Sequence, residues 1–117
     1  YLSSLEAMLG RPDSEMLPAH GAVGGSVHGR TRELLAHHDE RLAATRARVA
    51  ARQGATGLEV AEGLPWTRRE RSFASLDGFN RMIATCETMA HLDVLVARGS
   101  LAVDEVSPEG VARYVTA

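Results

Sequence analysis

The stretch that decides the fold class is DGFNRMIATCETMAHLDVLVARGSLAVDEVSPEGVARYV, residues 77–115. Apolar residues recur every three or four positions in its first part, which predicts a long helix that begins at Asp77 and ends at Gly99. Asp is a preferred N-cap residue, and Gly is the usual residue just past a helix end. Two β-type runs follow, residues 101–103 and 111–115, around the turn sequence Ser-Pro-Glu-Gly. They predict a hairpin that directly follows the helix.

The apolar positions of this helix define one face that we expect to be buried. They are Phe79, Met82, Ile83, Cys86, Met89, Ala90, Leu92, Leu95 and Val96. Cys86 is the one cysteine of the chain, and a thiol on a buried face behaves as a small, unreactive hydrophobic side chain. His91 lies beside this face and is expected to be a hydrogen-bonded structural histidine. A single cysteine excludes an internal disulfide and is typical of a reducing compartment.

The residues before this segment predict a second, shorter helix. Thr56 and Glu59 have the spacing of a capping box, and the helix they open is expected to bury Leu58, with Val60 and Ala61 as further core candidates. Short helix, connection, long helix and hairpin then follow one another. This is the element order of a winged helix.

A basic cluster lies in the connection, residues 63–75. Arg68, Arg69 and Arg71 follow Trp66, and arginines beside an aromatic ring can bind phosphate or a nucleic-acid strand. Glu70 interrupts the cluster, and the net charge of the chain is −2. We therefore interpret the cluster as a solvated loop or a contact between subunits.

A second long helix is predicted upstream, from about Val27 to Arg52. Its buried seam has a helical period and consists of Leu35, His38, Leu42, Thr45 and Val49. We expect Arg41 and Arg48 on its outer, solvated faces. Gln53 and Gly54 end it.

The N-terminal residues predict a helix over residues 3–9, with Ser3 and Glu6 as a capping box and Gly10 as the stop. A short strand is expected at residues 15–17, followed by a glycine-rich loop that carries His20. An apolar segment that ends in such a loop can present an imidazole to a metal or a substrate.

Composition excludes several classes of protein. Hydrophobic residues make up 44% of the chain, which argues against disorder, and the charge of −2 argues against a strongly basic nucleic-acid surface. No apolar run approaches the roughly 20 residues of a membrane span, and no signal-peptide pattern is present. We therefore expect a cytoplasmic protein without a membrane partner. The chain begins at Tyr1, already inside a helical pattern, which suggests a piece of a longer protein.

Three segments, in this order, resemble the C-terminal part of metallo-β-lactamase-fold hydrolases that carry an appended winged-helix domain. Residues 1–5 are similar to the last helix before the final metal ligand, and Leu-Pro-Ala-His-Gly at 17–21 to the Pro-Gly-His-Gly ligand loop. Residues 90–99 are similar to the His-Leu helix that runs into the wing. The resemblance implies a mainly α fold with a small β-hairpin. It divides the chain into a remnant of the catalytic αββα fold, 1–26, and a long helix with a winged-helix-like domain, 27–117.

The resemblance also implies a role for His20 in the full-length parent, meaning the longer protein of which this chain would be a piece. There His20 would bind the second metal of a dinuclear site, usually zinc, whose bridging water attacks a small-molecule ester, thioester or related substrate. Ala19 stands where the family has Gly. The main family signature, His-x-His-x-Asp-His, does not occur in these 117 residues. We therefore assign no catalytic residue and expect the fragment alone to be inert and not to hold zinc. His37 and Arg41 are candidates for positioning the substrate in the parent.

Two other functions stay open. A stand-alone winged-helix DNA-binding regulator needs a basic recognition helix, whereas the helix that begins at Asp77 carries two arginines against three acidic residues, counting Asp77. A dimerisation module would pair long helices between chains. The upstream seam has nearly heptad spacing, but His38 and Thr45 weaken a coiled-coil interpretation. A homodimer remains an open expectation.

Overall fold

The structure, a computed structural model, describes residues 1–66 and 71–117. Its helices are α1 (Leu2–Leu9), α2 (Val27–Ala51), α3 (Gly57–Glu62) and α4 (Gly78–Ala97), with a single 3₁₀ turn at Phe73–Ser75. Its strands are β1 (Ala55–Thr56), β2 (Leu101–Val106) and β3 (Ala112–Thr116). The chain divides into two compact units, Tyr1–Glu40 and Arg41–Ala117, called unit 1 and unit 2 below. The predicted mainly α composition with a small hairpin is confirmed. No helix in the described ranges combines the length and the apolar character that crossing a membrane requires.

The first helix is present, but its predicted capping box is wrong. α1 has Tyr1 at its N-cap position, and no side chain caps it. Ser4 N and Leu5 N both donate to Tyr1 O at 3.0 Å. Ser3 is therefore already inside the first helical turn, where its hydroxyl is not at the N-cap position. The helix buries Leu5, and Gly10 follows it in a right-handed conformation, with φ −80°.

The predicted seam of α2 is confirmed over its second half. Leu42, Thr45 and Val49 are buried, whereas Leu35 and His38 are half-buried. The Thr45 hydroxyl donates to the Arg41 carbonyl at 2.8 Å, so its burial leaves the hydroxyl donor bonded.

The expectation that Arg41 and Arg48 are solvated is wrong, since both are half-buried. Arg41 lies over the ring of Trp66. Arg48 lies against Gly63, where a Cβ would overlap its guanidinium. In each case a long basic side chain covers a surface of unit 2.

The capping box that opens α3 is confirmed. Thr56 Oγ1 accepts from Glu59 N at 3.3 Å, and Glu59 Oε2 accepts from Thr56 N at 2.8 Å. Val60 and Ala61 are buried, but Leu58 is 48% exposed, so its predicted burial is wrong.

The orientation of α3 explains this error. Gly57 lies against Met89 of α4 so closely that a Cβ would overlap the Met89 sulfur. The helix face that holds Gly57, Val60 and Ala61 therefore packs on α4, and Leu58 falls outside it. The missing side chain at Gly57 allows this close approach of the two helices.

Both ends of α4 are confirmed. The Asp77 carboxylate accepts from Asn80 N at 2.9 Å. At the other end Gly99 has a φ of +69°, Gly99 N donates to Val96 O, and Ser100 N donates to Leu95 O, each at 2.9 Å. These two bonds are those of a Schellman motif, in which glycine accommodates the left-handed conformation.

The predicted buried face of α4 is wrong over its N-terminal half. The buried residues are Ala84, Thr88, His91, Leu92 and Leu95. Phe79, Met82 and Ile83 are 68%, 53% and 47% exposed. Cys86 is exposed as well, so its assignment as a buried thiol is also wrong. In this half the helix carries large apolar residues on one face and Ala84 and Thr88 on the opposite face. The second face is the buried one, and there the Thr88 hydroxyl donates to Ala84 O at 2.9 Å.

The predicted hairpin is confirmed as β2 and β3, which pair antiparallel with a bulge between Val103 and Glu105. A third strand, β1, was not predicted. It pairs antiparallel with β3 through Ala55 and Tyr114, which gives the sheet order β1-β3-β2. Ala55, Leu101 and Tyr114 are buried. The short strand that precedes α3 thus joins the C-terminal hairpin.

A matched pair of substitutions tests the two capping boxes that the sequence predicts. Thr56→Ala removes an observed cap and should lower the free energy of unfolding by about 1 kcal/mol. Ser3→Ala removes a hydroxyl that caps nothing and should change it by less than about 0.5 kcal/mol. Urea unfolding followed by circular dichroism measures both. Equal losses in the two variants would contradict the assigned caps.

Glu59 predicts a pH dependence. The hydrogen bond from Thr56 N, together with the charge of Arg52, holds the pKa of Glu59 below its ordinary 4.5, although desolvation opposes this. Because the pKa is lower in the folded state, the stability that Glu59 contributes is fully present above pH 4.5 and is lost as the pH falls through the folded pKa. Glu59→Gln should therefore lower the urea midpoint at neutral pH, and the gap to the unmodified chain should close as the solution becomes acidic. Glu62→Gln, at an exposed position of the same helix, is the control. A gap of constant size would contradict the assigned ionisation.

Candidate functional site

His20 lies in unit 1, exposed, on the glycine-rich loop that connects α1 and α2. The loop is closed at its base by backbone hydrogen bonds. Met16 N donates to Gly25 O at 2.9 Å, and Gly24 N donates to Met16 O at 3.0 Å. Only Glu15 of the predicted strand pairs, in an isolated antiparallel bridge with Ser26. The result is a closed loop whose tip presents the imidazole of His20 to solvent.

The conformation of this loop requires glycine at three positions. Gly21, Gly24 and Gly25 have φ values of +108°, +112° and +80°. Side-chain-bearing residues rarely adopt these angles, so the glycines determine the path of the chain on either side of His20. Ala19, which stands where the ligand loop that the sequence resembles has glycine, is not one of these three positions.

Asp13 connects the base of the loop to the start of α2. Its carboxylate accepts from Ser26 Oγ at 2.6 Å, and from Ser14 N and His28 N, both at 2.9 Å. These hydrogen bonds hold the pKa of Asp13 below its ordinary value, and the bond from Ser26 contributes most. Ser26 caps α2 in turn, because its hydroxyl accepts from Gly29 N at 2.9 Å. The loop therefore has an ordered, hydrogen-bonded base.

One imidazole provides one metal donor, whereas zinc takes about four ligands. Among residues 1–66 and 71–117, no group of three His, Cys, Asp or Glu side chains is placed to hold a metal ion. His28 is engaged at the loop base, where its Nε2 donates to Arg11 O at 2.9 Å. The described part of this chain thus places a single candidate ligand, His20, at the loop tip.

The two residues predicted to position substrate are placed differently on α2. His37 is exposed, and its ring stands edge-on to that of His38 with 5.7 Å between centroids. His38 also packs edge-on against Tyr1, at 5.4 Å. Arg41, by contrast, is held by contacts of unit 2. His37 is the more accessible of the two candidates, and a role for either in substrate binding stays a prediction.

Arg41 is the centre of a partly buried polar cluster of unit 2. Its side chain is only 12% exposed, and its Cζ lies 4.4 Å from the centroid of the Trp66 ring. Its Nε lies 3.3 Å from Glu87 Oε1, and its Nη1 donates to Pro65 O at 2.9 Å. Nη2 is buried without a hydrogen-bond partner among the described residues. A cation–π contact, an ion pair and a carbonyl thus converge on one guanidinium.

Trp66 is fixed from both sides. Its indole Nε1 donates to Ala61 O at 2.8 Å, and its backbone forms an isolated antiparallel bridge with Arg71. Arg71 is exposed, and Arg68 and Arg69, the other members of the predicted basic cluster, lie outside the described residues. A small cavity of about 100 Å³ adjoins the indole, between Trp66, Leu76, Asn80, Ile83, Ala84 and Glu87. The cavity is large enough for a few water molecules only.

Comparison with known proteins relates the chain to a solved Beta-lactamase domain protein. Over its whole length it is similar to part of a solved structure, a Beta-lactamase domain protein from Burkholderia ambifaria, with 34% identity and a TM-score of 0.80. The chain spans about a third of that protein, 32% of its length. No protein-family model and no curated protein matches the chain. The likeness supports a relationship to the metallo-β-lactamase superfamily, which the sequence resembles at the His20 loop.

Two arrangements were not predicted from the sequence, the contacts of Arg41 and the hydrogen bonds of Asp13 at the loop base. The Arg41, Trp66 and Glu87 contacts join residues that are far apart in the chain, so no local pattern reveals them. The anchoring by Asp13 left a signal that could have been read, because an Asp shortly before a glycine-rich loop and a Ser at the following helix start are both capping residues.

Substitution of Arg41 tests this cluster. Arg41→Ala removes the cover of Trp66 and leaves Glu87 and Pro65 O without their partner, so we expect a loss of about 2 kcal/mol in the free energy of unfolding. Trp66 is the one tryptophan and is 7% exposed, so its fluorescence should shift to longer wavelength. Arg46→Ala, at an exposed position of the same helix, should change neither quantity. An unchanged emission spectrum in Arg41→Ala would contradict the packing described here.

Proposed function

We propose that this chain is the C-terminal portion of a metal-dependent hydrolase of the metallo-β-lactamase superfamily. The observation that carries the proposal is the likeness of all 117 residues to about a third of a Beta-lactamase domain protein. Two thirds of that protein lie outside the match, which leaves room for a catalytic fold. The ordered loop that presents His20 is the second support.

His20 would serve as one metal ligand of the full-length parent. It is exposed at the tip of a loop whose base is hydrogen-bonded, so its imidazole can meet groups that come from outside this chain. The described residues supply no further members of a metal cluster, so they do not by themselves fit a complete zinc site. The other donors of a dinuclear zinc centre would come from the preceding catalytic fold, and we derive no hydrolytic step from this chain alone. The substrate class of the parent would be a small ester, thioester or related compound.

Residues 27–117 would form the accessory part, and residues 1–26 the end of the catalytic fold. Unit 2 has the order helix, strand, helix, helix, strand, strand, with the first strand paired to the last. This order supports a winged-helix-like domain. A DNA-binding role is less well supported, because the solvent-facing side of α4 carries Phe79, Met82 and Ile83, whereas phosphate binding needs a positive surface.

Metal analysis of the full-length parent tests the proposal. With zinc supplied, the parent should hold about two metal ions per chain, and His20→Ala should hold about one. Hydrolysis of a thioester or ester substrate should fall by about 100-fold or more in that variant, since a metal site is lost. His37→Ala is the matched control, because a substrate-positioning residue can change KM without changing the metal content.

Two results would contradict this assignment. One is an unchanged metal content in His20→Ala with a native circular dichroism spectrum, which would remove His20 from the ligand set. The other is substrate turnover by the isolated 117-residue chain with added zinc, which would show that it is not an accessory piece.

A further inference from the structure

The His20 loop, residues 16–25, carries two large apolar side chains that are exposed to solvent. Leu17 is 76% exposed, and Val23 is 66% exposed. They lie three residues before and three residues after His20, so the Cα of each is within about 11 Å of the Cα of His20. The metal-ligand role proposed for His20 would therefore bring both side chains to the edge of the same site.

Backbone hydrogen bonds place these two side chains on opposite arms of the loop, meaning the stretches on either side of His20. Gly24 N donates to Met16 O at 3.0 Å, which joins the two arms at their base. Leu17 directly follows Met16, and Val23 directly precedes Gly24, so both lie just beyond the bonded base. The result is an imidazole with an apolar side chain on each arm.

The loop itself offers no charged partner to an anionic ligand. Residues 16–25 contain no Asp, Glu, Lys or Arg, and the imidazole is their one titratable side chain. A carboxylate lies at the loop base, because a Cβ on Gly24 would be 3.8 Å from Glu15 Oε1. This negative charge disfavours a second anion close to the arms.

The arginines nearest to the loop in the sequence lie outside it. Arg30 pairs with Glu33 at 3.0 Å, and Arg11 lies five residues before the loop begins. The carboxylate of Asp13 is hydrogen-bonded at the base. The two arms are therefore suited to an uncharged apolar group, which gains free energy by covering apolar side chains, whereas a carboxylate or phosphate would lose its hydration there without a partner.

We propose that Leu17 and Val23 are specificity-determining residues of the parent that contact an uncharged apolar chain of its ester or thioester substrate. This inference rests on the proposed function, because it is His20 that would bring the substrate to the two arms. An apolar chain would cover both side chains, whereas an anionic substituent would meet no arginine on the loop and a carboxylate at its base. The parent therefore prefers a substrate with a long apolar chain to one that is short or anionic.

Hydrolysis by the zinc-loaded, full-length parent tests the preference. Two thioesters carry an eight-carbon chain, octanoyl-N-acetylcysteamine on the acyl side and S-octyl thioacetate on the thiol side, whereas acetyl-N-acetylcysteamine carries none. At least one long thioester should exceed the short one in kcat/KM, and the better of the two shows which side of the scissile bond faces the loop. Leu17→Ser and Val23→Ser should each lower this long-to-short ratio by about 10-fold. Leu58→Ser, at a leucine 48% exposed on α3, should leave it unchanged.

Binding to the metal-free parent gives a readout that does not depend on turnover. S-octyl-N-acetylcysteamine is a thioether that cannot be hydrolysed, and it should bind through its apolar chain. Leu17→Ser should raise its Kd by about 10-fold, whereas Leu58→Ser should not. Isothermal titration calorimetry measures both affinities, and circular dichroism checks that the variants are folded.

Metal analysis distinguishes failure of this inference from failure of the proposed function. A parent that loses one metal ion in His20→Ala, but keeps its selectivity and its thioether affinity in Leu17→Ser and Val23→Ser, retains the proposed function and overturns the inference. A lower free energy of unfolding in these two variants with unchanged selectivity means that the catalytic fold itself packs on the arms, and the inference is then wrong. A preference for the succinyl thioester over the octanoyl thioester would also contradict it.

Discussion

The packing of unit 2 depends on one partly buried cation. A guanidinium keeps its charge when it is buried, so its surroundings must supply acceptors or an aromatic face. For Arg41 these are Glu87 of α4, the Pro65 carbonyl and the Trp66 ring. One side chain of α2 therefore contacts both α4 and the residues that follow α3. Loss of any one of the three partners leaves a charge or a carbonyl that unit 2 must satisfy in another way.

α4 turns small residues inward in its N-terminal half, Ala84 and Thr88, and large ones, Leu92 and Leu95, in its C-terminal half. Trp66, Leu92, Leu101 and Tyr114 already supply bulk to the core, and all four are 7% exposed or less. Gly57 lets α3 lie so close to Met89 of α4 that a Cβ at position 57 would overlap the Met89 sulfur. The large side chains of its N-terminal half, Phe79, Met82 and Ile83, are left on the outside.

Features that depend on neighbouring residues could be predicted from the sequence, whereas features that depend on distant ones could not. The Thr56 and Glu59 box, the Asp77 cap, the Gly99 stop and the hairpin are set by local hydrogen bonds and backbone conformation. The buried face of α4 is not, because apolar residues occur on both sides of that helix and their period alone does not select one. β1 is two residues long and exists only through its pairing with β3. Arg41 looked solvated because nothing in its own helix reveals Trp66.

The same distinction applies to His20, because some features of its loop could be predicted from the sequence and others could not. That His20 lies on an exposed glycine-rich loop followed from the sequence, because proline and glycine mark such loops. The sequence marks Asp13 and Ser26 as capping residues, but it does not show that they bond to each other, because Ser26 and His28 are more than ten residues away from Asp13. A loop that merely joined two helices would not need three glycines at positive φ within five residues, since glycine raises the conformational entropy lost on folding. The shape of this loop therefore has an entropic cost, and it leaves His20 exposed at the loop tip. The bonds that hold the loop base lie within unit 1, so the position of His20 on its loop does not require the Arg41 cluster of unit 2.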